Sequence, residues 1–233
     1  MDEPAAQRSD PTTIRRLYGR RQGHPLRQGQ AALLADLLPR IAVPADGALD
    51  APTLFGDDRP LWLEIGFGRG EHMAAQAATY PDVGLIGAEP FVDGVVGALM
   101  AVRDGGLSNV RIHHGDALHV LERLPPASLD RVFLLHPDPW PKARHAKRRF
   151  VNPGPIDLIA RALKPGGELR IGTDHPIYCR WTCMVMGQRG DFRWLAQTPA
   201  DFLHRPADWP PTRYETKARR LGHEVWYFRY QRL

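Results

Sequence analysis

Apolar and polar positions along the chain fall into two periods. Between Gln28 and Leu38, Leu33, Leu34, Leu37 and Leu38 recur at helical spacing, which predicts a helix closed by Pro39. A loop rich in proline, glycine and aspartate follows, to about Pro60. From there short apolar runs alternate with longer amphipathic segments. The runs predict strands over Leu61–Ile65, Val83–Ala88, Val110–His113, Arg131–Leu135 and Glu168–Gly172. Strand, helix and strand repeated in this way imply a mostly parallel α/β sheet with helices on both faces. The tail EVWYFRY, Glu224–Tyr230, is rich in β-formers and predicts an antiparallel edge strand. No internal repeat interrupts the pattern.

The first thirty residues break from this pattern. They are poor in large apolar groups and carry Arg8, Arg15, Arg16, Arg20, Arg21 and Arg27, which predicts a mobile basic arm over residues 1–30 ahead of one domain over residues 31–233. The chain has 233 residues, of which 43% are hydrophobic, enough for a full core, and no 18-residue apolar stretch that predicts a membrane span. The N-terminus lacks an apolar leader core, and Cys179 and Cys183 provide no disulfide framework, so a cytoplasmic protein is expected. Those two cysteines share a helix face in CxxxC spacing and read as packing residues. A formal net charge of +5 leaves a polyanion such as nucleic acid as a natural partner.

Ligands of open parallel sheets bind at the carboxyl ends of the strands. Here those ends are acidic. Glu64 closes the first predicted strand, Glu89 follows the second, Asp116 the third and Asp138 the fourth. Carboxylates gathered on one rim repel one another, so they imply a ligand of complementary charge. After the first strand, Gly66, Gly68 and Gly70 allow a tight turn and close approach of backbone to a ligand. Their G-x-G-x-G spacing departs from the G-x-G-x-x-G of nicotinamide enzymes, and no P-loop is present. An acidic rim disfavours a phosphate-rich ligand. It suits a molecule that joins a sulfonium and an ammonium to a ribose, as S-adenosylmethionine does. A nicotinamide oxidoreductase, a noncatalytic RNA-binding protein on the same sheet and, nearer, a methyltransferase acting on one or another nucleic acid or on protein stand as alternatives at this point.

The densest chemistry lies in HPDPWPKARHAKRRF, His136–Phe150. Pro137 and Pro139 hold the backbone on either side of Asp138 nearly rigid, and Lys142, Arg144, His145, Lys147, Arg148 and Arg149 follow as a cluster suited to solvent or a polyanion. Trp140 reads either as a base-stacking surface or as a residue packed beneath the proline loop. Asp174 reads either as a base reader or as a helix N-cap. The histidines, His113, His114 and His136 among them, have no ligand spacing with supporting acids, so no metal is expected.

LKPGGELRIGTD, Leu163–Asp174, resembles the class I methyltransferase superfamily, in which such a turn leads into the fifth strand. PDPWPKARH, the TDH of Thr173–His175 and the TRYETK of Thr212–Lys217 resemble the tRNA (guanine-N7)-methyltransferase family from about Ile14 to the C-terminus. The resemblance implies a Rossmann-like, seven-stranded sheet with an antiparallel C-terminal strand. It also implies methylation at N7 of the variable-loop guanosine, position 46 in standard tRNA numbering, with S-adenosylmethionine as donor. By resemblance Glu64, Glu89, Asp116 and Asp138 belong to the cofactor site, with the Gly66, Gly68 and Gly70 turn beside them and Asp138 also catalytic. Lys142, Asp174, Thr212, Arg213, Tyr214 and Glu215 are substrate contacts on the same ground. The partner implied is tRNA, with no membrane, and the chain is expected as a monomer or weak homodimer. It departs from the family pattern at His136, where an aromatic is frequent, and at Ala143, where a second lysine is usual.

Overall fold

The computed structural model describes Gly23 and residues 25–233. Most of the expected basic arm, residues 1–22, therefore lies outside the described residues. In chain order the elements begin with α1 (Gln28–Asp36), α2 (Leu38–Ile41), α3 (Ala51–Phe55), β1 (Leu61–Ile65), α4 (Glu71–Thr79), β2 (Gly84–Ala88), α5 (Val92–Gly105), β3 (Val110–His113) and α6 (Ala117–Arg123). They continue with β4 (Leu129–Leu135), a 3-10 helix (Ala143–Arg148), α7 (Pro153–Ala162), β5 (Leu163–Thr173), α8 (Pro176–Met186), β6 (Phe192–Trp194), α9 (Ala200–Leu203), α10 (Arg213–Arg220) and β7 (Trp226–Arg232).

The sheet runs β3-β2-β1-β4-β5-β7-β6. β1 pairs in parallel with both β2 and β4, β2 with β3, and β4 with β5, while β7 lies antiparallel to β5 and to β6. The order reverses between β1 and β4, which opens a crevice beyond their carboxyl ends. Side-chain alternation divides the core into two layers. Leu61, Leu63 and Ile65 of β1, with Val132 and Leu134 of β4, pack beside Ile156 and Ile159 of α7. Trp62, Phe133 and Leu135 face the other layer, with Met73 of α4 and Val95 and Leu99 of α5. Every residue of β1 is buried, as expected of a central parallel strand.

Three expectations change. The C-terminal strand is antiparallel as predicted but is not at the edge: β6 pairs outside it. Three residues, FRW, carry too little period to predict β6 from sequence. Pro39 does not end the helical region; it occupies the first turn of α2, where its missing N–H has no intrahelical partner to lose. The N-cap of α8 is His175, whose Nδ1 accepts from the Ile177 N–H at 3.2 Å, so the capping alternative for Asp174 falls.

A polar network under the chain before α10 fixes what reaches the crevice. Arg170 of β5 is 1% exposed, donates from Nε to Glu168 at 2.8 Å, and pairs through Nη2 with Asp208 at 2.9 Å. Its guanidinium carbon lies 5.9 Å from the Phe133 ring centroid and 6.0 Å from that of Trp209. Trp209, buried against Tyr227 with centroids 5.5 Å apart, anchors the Asp208–Thr212 chain on the sheet. α10 is thereby set at the crevice mouth. No described helix is long and apolar enough to cross a membrane.

Candidate active site at the topological switch point

A cleft of about 870 Å³ occupies the crevice. Gly66, Gly68, Glu89, Asp116, His136 and Asp138 line it, together with Phe91, Trp140, Lys147, Arg148 and Tyr214. The turn after β1 is built by glycines in left-handed conformations, φ +67° at Gly66 and +57° at Gly68. A Cβ on Gly66 would meet no atom within 4 Å, so this backbone faces open space. Gly70 serves differently. Its φ is +77° and its Cβ would come within 2.7 Å of the Ala98 Cβ, so it permits close packing of the start of α4 on α5.

The four rim carboxylates are held in four different ways. Glu89 is 8% exposed, and its two oxygens accept from the Gly68 and Phe91 N–H groups, each at 2.9 Å. Burial raises its pKa above the ordinary carboxylate value, against the lowering effect of those two bonds, and the Asp138 and Glu64 charges add to the rise. A cation in the cleft would favour its ionised form. Asp116 caps α6 by accepting from the Leu118 N–H at 3.0 Å, and still lines the cleft. Asp138 is exposed, and among the described residues no group hydrogen-bonds or pairs with its carboxylate. Glu64 departs from the expectation of an open rim. β1 alternation turns it into the α4 layer, 3% exposed, with its carboxylate 2.7 Å from His72 Nδ1 and outside the lining of the cleft.

His72 continues inward. Its Nε2 lies 3.3 Å from Gln76 Nε2, which donates to the Asp208 carbonyl at 3.0 Å. A chain of buried polar groups thus ties the base of the first turn to the segment that seats α10. Sequence reasoning did not find His72; the one available signal was its i, i+4 pairing with Gln76 in an otherwise apolar helix face.

The basic run divides. Lys142, Arg144 and Lys147 are exposed, and Lys147 and Arg148 line the cleft. Arg149, expected among them, is instead 5% exposed and acts as a clamp. Its Nε donates to the Pro139 carbonyl at 3.1 Å, its Nη2 to the Trp140 carbonyl at 3.0 Å, and its guanidinium carbon lies 4.6 Å from the Trp181 ring centroid. Trp140 lines the cleft with the Arg148 guanidinium carbon 5.0 Å from its ring centroid, so it is not buried beneath the loop. Asp174, at the end of β5, lies 3.2 Å from His136 Nδ1, a bond that holds its pKa below the usual aspartate value.

The TRYE segment separates in the same way. Tyr214 is 47% exposed and lines the cleft. Arg213 is exposed beside Glu71 at 3.4 Å. Thr212 and Glu215 are buried: the Thr212 hydroxyl caps α10 by accepting from the Glu215 N–H at 3.1 Å, and the Glu215 carboxylate accepts from Arg219 Nε at 3.0 Å. Thr212→Ala is therefore expected to lower unfolding free energy by about 1 kcal/mol, measured by urea denaturation. No loss of stability would remove the capping role.

Among the described residues no group of three or more histidine, cysteine, aspartate or glutamate side chains is arranged to hold a metal. Cys179 packs against the core and Cys183 is exposed, so only the first of the pair fits a packing role.

Known proteins match this chain closely. A family model described as "Putative methyltransferase" matches residues 58–228. The tRNA (guanine-N(7)-)-methyltransferase of Zymomonas mobilis is 66% identical over 224 residues, covering 96% of this chain and 97% of that protein. That of Sphingopyxis alaskensis is 64% identical over 229 residues, with 96% and 97% covered. Among solved structures, an rRNA methylase from Streptococcus thermophilus aligns with a TM-score of 0.51 at 13% identity, over 76% of this chain and 89% of that one. A SAM dependent methyltransferase from Aquifex aeolicus aligns at 0.51 and 13%, over 75% and 82%. At such identity the two structures support the fold alone. The full-length matches go further: the chain belongs to the tRNA (guanine-N(7)-)-methyltransferase family.

Proposed function

We propose that this protein transfers the methyl group of S-adenosylmethionine to N7 of the variable-loop guanosine of tRNA, position 46 in standard tRNA numbering, forming 7-methylguanosine. The observation that carries this reading is a cleft at the switch point that brings the carboxylates Glu89, Asp116 and Asp138 together with the aromatic Trp140 and Tyr214 and the cationic Lys147 and Arg148. The carboxylates suit a cationic cofactor, and the aromatic and cationic side chains suit a nucleobase on a phosphate backbone.

The residues fit the cofactor. The open space at Gly66 lets backbone approach it, and each Glu89 oxygen keeps a lone pair for ribose hydroxyls after bonding its backbone N–H. Asp116 and Asp138 add negative charge toward the sulfonium and ammonium. When bound, S-adenosylmethionine supplies an electrophilic methyl on a sulfonium that leaves as a neutral thioether. Guanine N7 bears an in-plane lone pair and no proton at neutral pH, so the protein needs to align the base more than to deprotonate it. The base gains positive charge in the transition state, which the Asp138 carboxylate stabilises more strongly than it stabilises the neutral ground state. Asp138 is thus the residue assigned to catalysis. Lys142 and Arg213 would meet phosphates, and Asp174 and Tyr214 the base, while Thr212 and Glu215 serve by holding Tyr214 in place. Glu64, outside the cleft lining, would reach the cofactor site only through its charge, as it reaches Glu89, with His72 fixing its orientation.

Transfer of labelled methyl from S-adenosylmethionine to unmodified bulk tRNA, followed by nucleoside analysis, tests this reading. Label in 7-methylguanosine supports it; label in another nucleoside would overturn the target. Residues 1–22 would contribute phosphate contacts through their arginines. Deleting them is expected to weaken tRNA binding and to lower the slope of log Kd against log salt by about one unit per lost contact. An unchanged slope in a filter-binding titration would make the arm a bystander. A cytoplasmic location and a monomeric or weakly dimeric state complete the proposal.

A further inference from the structure

The loop that carries Asp138 begins and ends in a conformation that residues with a side chain seldom adopt. His136 has φ +47° and Trp140 has φ +41°. Such strain persists only where surrounding contacts hold it, and it gathers at functional sites. At Trp140 the holding group is Arg149, which takes the Pro139 and Trp140 carbonyls. At His136 three contacts converge. Its backbone N–H donates to the Gly172 carbonyl at 2.7 Å. Its Nδ1 meets Asp174 Oδ1 at 3.2 Å, and its ring stacks on Tyr214 with centroids 6.0 Å apart and planes inclined by 24°. The other Asp174 oxygen faces His223 Nδ1 at 3.8 Å.

One imidazole therefore joins the end of β4, the end of β5 and the first turn of α10. Its side chain is 8% exposed, while Asp174 is 34% exposed and Tyr214 lines the cleft. We propose that His136 is a positioning residue: itself lining the cleft and donating from Nδ1, it fixes the Asp174 carboxylate beside the cleft, and through ring stacking the Tyr214 side chain that lines it, for contact with the target base. This inference rests on the reading of the site as a guanine-N7 methyltransferase. Guanine presents N1–H and N2–H donors side by side, and a carboxylate accepts both at once. A carboxylate free to rotate must be ordered each time a base binds. One already bonded to His136 keeps lone pairs for the base and is ordered beforehand. Orienting the guanine by that edge turns its N7 edge away from Asp174.

Three substitutions separate the donor from the ring and from the backbone. His136→Asn places an amide donor near the Nδ1 position and tolerates positive φ. His136→Phe keeps a ring for Tyr214 but has no donor, and His136→Gly relieves the backbone while removing both contacts. In steady-state methylation of tRNA, Asn is expected to retain kcat/KM within about threefold of wild type, and Phe and Gly to fall by about tenfold or more, the loss of one charge-assisted bond. The KM for S-adenosylmethionine is expected to stay unchanged. His136→Phe added to Asp174→Ala is expected to cost nothing beyond Asp174→Ala alone, because without the carboxylate the Nδ1 donor has nothing left to position.

Phe or Gly at the wild-type level, Phe exceeding Asn, or multiplicative losses in the double variant would each overturn the positioning role. Should Phe fail to fold, the Asn and Gly pair carries the same comparison. A wild-type protein that forms no 7-methylguanosine overturns the functional reading; wild-type turnover with indifferent variants overturns this inference alone.

Discussion

Replacing Asp138 by alanine is expected to lower the single-turnover rate of methyl transfer by about 10²- to 10³-fold, the scale of removing one preorganised electrostatic partner of a transition state. The affinity for tRNA is expected to stay within a few-fold of wild type, because the cations that meet phosphate lie on other side chains. Stability should change little as well. The Asp138 carboxylate has no hydrogen-bond or ionic partner among the described residues, so its loss leaves no buried group unpaired. The flanking prolines and the Arg149 clamp hold the backbone in either case. Relief of repulsion should also let Glu89, whose pKa the Asp138 charge helps to raise, ionise more readily. Rapid-quench transfer of labelled methyl at saturating cofactor, beside filter binding of tRNA, checks the division. If tRNA affinity falls as far as the rate, Asp138 is a binding residue rather than a catalytic one.

Arg149→Ala is expected to produce the second large effect, on both stability and turnover. The substitution leaves the Pro139 and Trp140 carbonyls without their charged donor and removes the guanidinium from the face of Trp181. Bonds to a charged group contribute about 1.5–3 kcal/mol each, and the two share one side chain, so a loss of about 3 kcal/mol in unfolding free energy is expected from chemical denaturation. Turnover should fall with it, because Trp140 is held at φ +41° against its own preference. Arg149→Lys distinguishes charge from shape. A single ammonium cannot reach both carbonyls with the guanidinium's fork geometry, so most of the loss should remain. Full retention of stability and rate by Lys would mean that charge alone holds the loop.

These two residues show how unevenly the site can be read from sequence. Asp138 stood out because prolines on both sides announce a rigid presentation of one carboxylate, a local signal. Arg149 lay in a basic run and looked like its neighbours; only the return of the chain beneath the proline loop makes it a buried clamp. The TRYE segment behaves alike. Its four residues match a family pattern as a unit, yet Tyr214 opens to the cleft while Thr212 and Glu215 cap and brace the helix that carries it. Residue type and spacing do not reveal which side of a helix start faces a ligand.

Five strands, their parallel order of succession and the acidic residue at the end of the first four were legible because those features depend on local hydrophobic period and on where a run stops. The same local logic placed Glu89, Asp116 and Asp138 on one rim. What the chain could not disclose by itself is everything that needs two distant segments to meet. β6 is three residues long and is defined only by pairing with β7. Glu64 ends a strand like its fellows, but alternation across β1 and the presence of His72 on α4 turn it inward. Asp174 has a bonding partner only because β4 and β5 end side by side. The local sequence determined which elements form and what chemistry their ends carry. The tertiary structure decided which of those groups face the cleft, since burial and hydrogen-bond satisfaction are properties of contacts between elements rather than of residues in a row.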